Sequence, residues 1–195
     1  MDEKNILIKI CELITENDPD VLAEVEECVN NIGAYVETHL DEYEHQSMSL
    51  EDSSPEDLMW LGVVNCLIRN GYVGKFDSDI TKVDFGWELK SLRGYKLFDL
   101  SLDEKFTNED YAIDSYDVNE DDDIYDYEDE ERFVEDESVE SWCKYLNNSW
   151  ADEDICLGMI DTDMEEYTIF LVETEVLEQL EELADSIDRH ISTVY

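Results

Sequence analysis

The run of residues closest to a chemical template extends from Asp117 to Glu128 and reads D-V-N-E-D-D-D-I-Y-D-Y-E. A calcium-binding helix–loop–helix loop takes oxygen ligands at positions 1, 3, 5, 7, 9 and 12 and needs Gly at 6 for a sharp turn. Asp117, Asn119, Asp121 and Glu128 fit positions 1, 3, 5 and 12, and Ile124 supplies the apolar residue at 8. Asp122 stands where Gly belongs, and Asp enters the left-handed region less readily. Tyr125 fits position 9 only if water supplies the ligand. The flanks are not clear helices, and so acidic a segment generates partial matches easily. No metal ligand and no cofactor is assigned; a calcium-binding loop at 117–128 stays open as an alternative.

Other chemical templates fail more plainly. Gly71-Tyr-Val-Gly74-Lys75 has glycines and a lysine, but lacks the length and the Ser/Thr of a phosphate-binding loop. It reads as a helix stop followed by a turn. His39 and His45 are six residues apart, which is neither the helical zinc-pair nor the finger spacing, and His190 stands alone. Cys11, Cys28, Cys66, Cys143 and Cys156 are odd in number and form no CxxC. Buried free thiols in a reducing compartment account for them. Asp84 and Glu88, one helical turn apart beside Trp87, read as a solvated face rather than an acid–base pair. Among 55 carboxylates such pairs arise by chance, so an unrecognised carboxylate enzyme stays open without a named residue, and no catalytic residue is assigned.

The charge is the dominant property. The chain carries 55 acids against 12 bases, a net −43 over 195 residues. Residues 1–100 hold 22 acids and 8 bases, residues 101–195 hold 33 and 4. Asp103 to Glu140 alone packs 19 acids and 2 bases into 38 residues. Charge this concentrated, with 8 Lys against 4 Arg, argues against a salt-adapted surface, which would be acidic all over. Such a surface repels nucleic acid and anionic membranes and attracts cations and basic protein faces. No apolar run reaches the ~18 residues of a membrane span, and no signal peptide is visible, so a cytoplasmic location is expected.

The elements that must display these acids follow from periodicity. Ile6, Leu7, Ile10, Leu13 and Ile14 predict a helix over 3–16. Asp18-Pro19 starts a second, with Val21, Leu22, Val25, Cys28, Val29 and Ile32 inward and Gly33 ending or bending it, a helical continuation through Tyr35, Val36 and Leu40 staying open. Residues 41–54 read as a loop. Ser54-Pro55 opens a third helix, buried through Trp60, Leu61, Val64, Leu67 and Ile68 and stopped by Asn70-Gly71. A strand is predicted at 72–76, then a helix capped by Asp79 and running to Leu92, with Val83, Trp87 and Leu89 inward. Residues 95–102 alternate as a strand or irregular edge. Val139, Trp142, Cys143 and Leu146 predict a helix over 137–147. Residues 155–161 and 167–172 predict an antiparallel hairpin. Thr174 caps a last helix with Leu177, Leu180, Ala184, Ile187 and Ile191 on its stripe. The fold expected is α+β, a mostly helical single domain over 1–195 with a small, at least partly antiparallel sheet and an acidic excursion at 103–140.

Within residues 59–92, Asn70-Gly71-Tyr72 closes a helix before a strand, and Phe85, Trp87 and Leu89 form a Phe-x-Trp-x-Leu helix core. This pattern resembles a family of uncharacterised bacterial cytosolic proteins, a domain of unknown function. The late hairpin, with Asp161 ahead of Tyr167-Thr-Ile-Phe-Leu, is also similar. The resemblance covers half the chain and implies an α+β fold and a bacterial source. It carries over no catalytic residue, and the long acidic stretch is where this chain departs from it.

Functionally, these observations lead to a non-enzymatic acidic module that binds a basic protein surface, as an immunity-type inhibitor or a nucleic-acid mimic. Rows of acids ~5–6 Å apart on a helix, or ~6.6–6.8 Å on a strand, approximate phosphate spacing. The expected contact residues are Asp114, Asp117, Asp121, Asp122, Asp123, Asp126 and Asp129, with Glu128, Glu130 and Glu131. Tyr125 and Tyr127 are the aromatic anchors among them. No direct nucleic-acid or membrane binding is expected. The competing reading is a structural or solubilising segment.

Overall fold

The computed structural model describes residues 2–107, 138–162 and 164–194. Five of its described α-helices begin on a side-chain cap. Asp2 accepts the Asn5 N–H at 3.0 Å ahead of α1 (Glu3–Ile14). Asp18 accepts the Asp20 N–H at 3.0 Å ahead of α2 (Pro19–Asn30). α3 (Ile32–Thr38) and α4 (Leu40–His45) follow. Ser54 caps α5 (Pro55–Arg69) through the Asp57 N–H at 3.0 Å. After β1 (Val73–Phe76) come α6 (Lys82–Ser91) and α7 (Arg93–Leu97). α8 (Val139–Ser149) opens on a reciprocal Ser138–Ser141 capping box. β2 (Ile155–Ile160), β3 (Tyr167–Glu173), α9 (Thr174–Asp185) and β4 (Ile191–Thr193) complete the described fold. α3, α4, α7 and α9 begin without a side-chain cap, and Thr174 is the first residue of the last helix rather than its cap.

The four described strands form one antiparallel sheet in the order β1-β3-β2-β4. The β2–β3 hairpin pairs Leu157 with Leu171 and Gly158 with Phe170. Side chains alternate across the pleat, so the sheet feeds two cores. Val73, Cys156, Ile160, Phe170, Val172 and Ile191 point into one, with α1, α2, α5 and α9 packed over them. Phe76, Ile155, Leu157, Ile169 and Leu171 point into the other, beneath α6 and α8. A smaller cluster of Cys28, Tyr35, Val36, Tyr43, Leu58 and Leu61 docks α3 and α4 on α5. The fold is α+β, mostly helical with a small antiparallel sheet, as the sequence leads one to expect.

Several local expectations are corrected. The stretch 41–54 is not all loop. α4 begins at Leu40, and Tyr43 is fully buried, its hydroxyl donating to the Leu58 carbonyl at 3.1 Å. The break after α2 falls at Asn31, and Gly33 lies within α3. α6 is capped by Thr81, which accepts the Asp84 N–H at 3.2 Å, and not by Asp79. Trp87 faces outward from it. Residues 93–97 are helical rather than extended, because Gly94 lets α7 settle on β3; a Cβ there would lie 2.8 Å from that of Leu171. Ile191 belongs to β4, not to the last helix. That helix stops because Asp188 adopts φ 59° and the Arg189 N–H reaches back to the Ala184 carbonyl at 3.0 Å. This is a left-handed helix stop made with Asp where Gly is the usual signal.

Candidate functional site

All twelve expected contact residues, Asp114 to Glu131, lie outside the described residues, and so does the 117–128 loop. The structure does place both roots of the acidic segment. Phe106, in a short 3₁₀ turn at Glu104–Phe106, is 0% exposed, and Val139, at the start of α8, is 1% exposed. Phe85 of α6 touches both sides: its ring centroid lies 6.4 Å from that of Phe106 and 5.5 Å from that of Trp142. The carbonyl of Phe106 rests directly on Gly86, where a side chain would collide with it. Three aromatics and one glycine therefore hold Phe106 and α8, which flank residues 108–137, against a single helix. That segment contains 16 acids and 1 base.

A cavity of about 660 Å³ lies elsewhere, between the start of α5 and the α9–β4 turn. Arg189 runs through it, bonded to Asp57 at 2.5 Å with its guanidinium 5.9 Å from the Trp60 ring centre. The Trp60 indole donates to the Asp161 carbonyl at 3.4 Å, and the Asp161 N–H donates to the His190 carbonyl at 3.0 Å. Hydrogen bonds from Ser54 and then Arg189 hold the Asp57 carboxyl below its ordinary range, so it is ionised at neutral pH and no proton donor. These contacts tie α5 to the α9–β4 turn. Neither the Asp57–Arg189 pair, 132 residues apart, nor the cavity carries a local sequence signal.

A second polar knot joins four helices. The Arg69 guanidinium bonds Glu24, Glu42 and the Tyr35 hydroxyl, and Tyr35 donates to Glu24 at 3.0 Å. Burial alone would raise the Glu24 carboxyl, but Arg69 outweighs it and the net shift is downward. The knot clamps α2, α3 and α4 to the end of α5. All five cysteines are buried and free, and burial pushes the Cys28 thiol up to about 12. Such thiols stay protonated and are poor nucleophiles. His39 stacks on Tyr35 with centroids 4.2 Å apart, while His190 sits exposed near Asp185. No cluster of three or more metal-ligating side chains forms among the described residues. No described helix is long and apolar enough to cross a membrane.

A family model described as a domain of unknown function (DUF6630) matches residues 6–195. The chain belongs to that family. The match runs well beyond the 59–92 pattern, and its span includes the acidic segment. No curated protein and no solved structure matches the chain. In this DUF6630 chain, Asn70, Gly71 and Tyr72 serve the fold: Gly71 takes φ 72° and the Tyr72 N–H closes on the Leu67 carbonyl at 3.0 Å. Tyr72 then donates to Asp18 at 2.9 Å, where Arg93 also bonds at 2.8 Å.

Proposed function

We propose that the chain is a non-enzymatic acidic module that binds a basic protein surface, in the manner of an immunity-type inhibitor or a nucleic-acid mimic. The observation that carries this reading is the common anchorage of the acidic segment. A solubilising tail has no need of two fully buried roots on one helix. The segment between these roots carries 16 acids, and charge of one sign at that density raises the negative potential a cationic partner meets. The scaffold adds to the field: Glu175, Glu178, Glu182 and Asp185 are exposed along α9, which carries no Lys or Arg. Fields of this kind speed encounter with a cationic partner and weaken steeply with salt.

The test compares the wild-type chain with a variant in which Asp121, Asp122, Asp123 and Asp126 become Asn, each immobilised and exposed to source-cell lysate. Wild type is expected to retain basic proteins at low salt and release them at high salt, and the variant to retain fewer. Identical retention by both proteins at both salts would sink the reading. A variant that precipitates more readily yet retains the same partners would instead favour the solubilising role.

A further inference from the structure

Helix α6 exposes an aromatic ring that its sequence pattern leads one to bury. Trp87 is 57% exposed, whereas Trp60, Trp142 and Trp150 are 6%, 5% and 3% exposed. Its neighbours on the outer face are Asp84, Glu88 and Ser91. Partial burial first, then the charges of Asp77 and Asp84, push the Glu88 carboxyl above its ordinary range. Asp84 and Glu88 thus flank the indole on the exposed face of α6. The ring also already holds a cation, since Lys90 Nζ lies 5.3 Å from its centroid.

An exposed apolar residue is commonplace taken singly. An exposed indole that takes an ammonium on its face, flanked by two carboxylates, is complementary to an arginine or lysine side chain. The guanidinium or ammonium stacks on the ring while the carboxylates neutralise it. The opposite face of the same helix holds Phe85 and Gly86, the seat of Phe106. This face therefore lies on the helix against which the root of the acidic segment packs.

We propose that the outer face of α6, with Trp87 as anchor and Asp84 and Glu88 as ion-pair partners, docks an arginine- or lysine-bearing segment of a basic protein. The proposal rests on the reading of the chain as an acidic binding module and gives that module a specific contact. The partner's cation takes the place of Lys90 on the indole. Tryptophan is the residue type most enriched among interface hot spots, and its contribution is greatest where a ring of polar groups excludes water.

The experiment titrates the full chain with a fluorescein-labelled oligo-arginine peptide at moderate salt. It reads peptide anisotropy and intrinsic tryptophan emission. Wild type is expected to saturate with a change in emission, because Trp87 is the water-exposed indole. Trp87→Ala is expected to bind about tenfold more weakly with an unchanged melting temperature. The Asp84→Asn/Glu88→Gln double variant is expected to weaken similarly, and Trp87→Phe to retain part of the affinity. Wild-type affinity in both Trp87→Ala and the double variant overturns the proposal. The variant neutralised at Asp121, Asp122, Asp123 and Asp126 separates the two readings. If it binds like wild type while Trp87→Ala does not, the α6 contact stands and the role of the segment falls. The reverse pattern removes the α6 contact and leaves the segment, and losses in both support both.

Discussion

Tyr167 on β3 donates its hydroxyl to the Glu140 carboxylate at the start of α8, fastening that helix to the sheet. The bond pushes the phenol up to about 12 from 10.0, because losing its proton would set two anions face to face. Burial works the other way on Glu140, but the Tyr167 bond leads a net downward shift. The two signs define one window. The raised phenol contributes stability that is complete below pH 10.0 and lost as pH climbs towards about 12. The lowered carboxyl contributes stability that is present above its ordinary value of 4.5 and lost on further acidification. Tyr167→Phe should therefore cost about 1 kcal/mol at neutral pH, read by urea denaturation, with the difference from wild type closing towards either extreme. At the same scale, the five buried thiols should ignore a disulfide reagent in the native protein and all react once it is unfolded. Burial was legible in the sequence for three of the cysteines, which sat in apolar helical patterns, whereas Cys156 lies on β2. The exposure of Trp87 was not legible, because Val83 one turn earlier placed it on an apparent stripe; the face that packs is Val83, Phe85, Gly86 and Leu89.

Among the elements, α1, α2, α5, α8 and the β2–β3 hairpin could be placed from the chain alone. Their caps and periods are local, so each segment states its own bounds: Ser138 ahead of Val139, Trp142, Cys143 and Leu146 is a complete instruction. The elements that were missed depend on distant partners. β4 has three residues, too few to show a period, and is extended because Ile191 and Ser192 pair with Ile160 and Met159. α7 depends on Gly94 meeting Leu171, 77 residues later in the chain. The seat of Phe106 on α6 is of the same kind. Gly86→Ala should drive a methyl into the Phe106 carbonyl and cost about 1–3 kcal/mol, seen as a lower melting temperature. Unchanged stability would mean that the root of the acidic segment shifts freely, which would weaken the argument from common anchorage.

For the whole molecule, a net charge of −43 sets the balance between packing and self-repulsion. Two cores on one sheet supply the cohesion, and the acids on the outer surfaces oppose it. Salt shortens the reach of that repulsion to ~10 Å at 0.1 M. The melting temperature should rise from low to moderate ionic strength; a flat response would show that the acids lie too far apart to repel. The sequence by itself determined the composition of the cores, the fold class and the location of the charge, because burial pattern, capping and net charge are properties of short segments. The tertiary structure alone decided that both roots of the acidic segment share α6, that Arg189 meets Asp57 and Trp60, and that Trp87 stands in water. Each of these depends on which distant surfaces come together, and no periodicity along the chain encodes that.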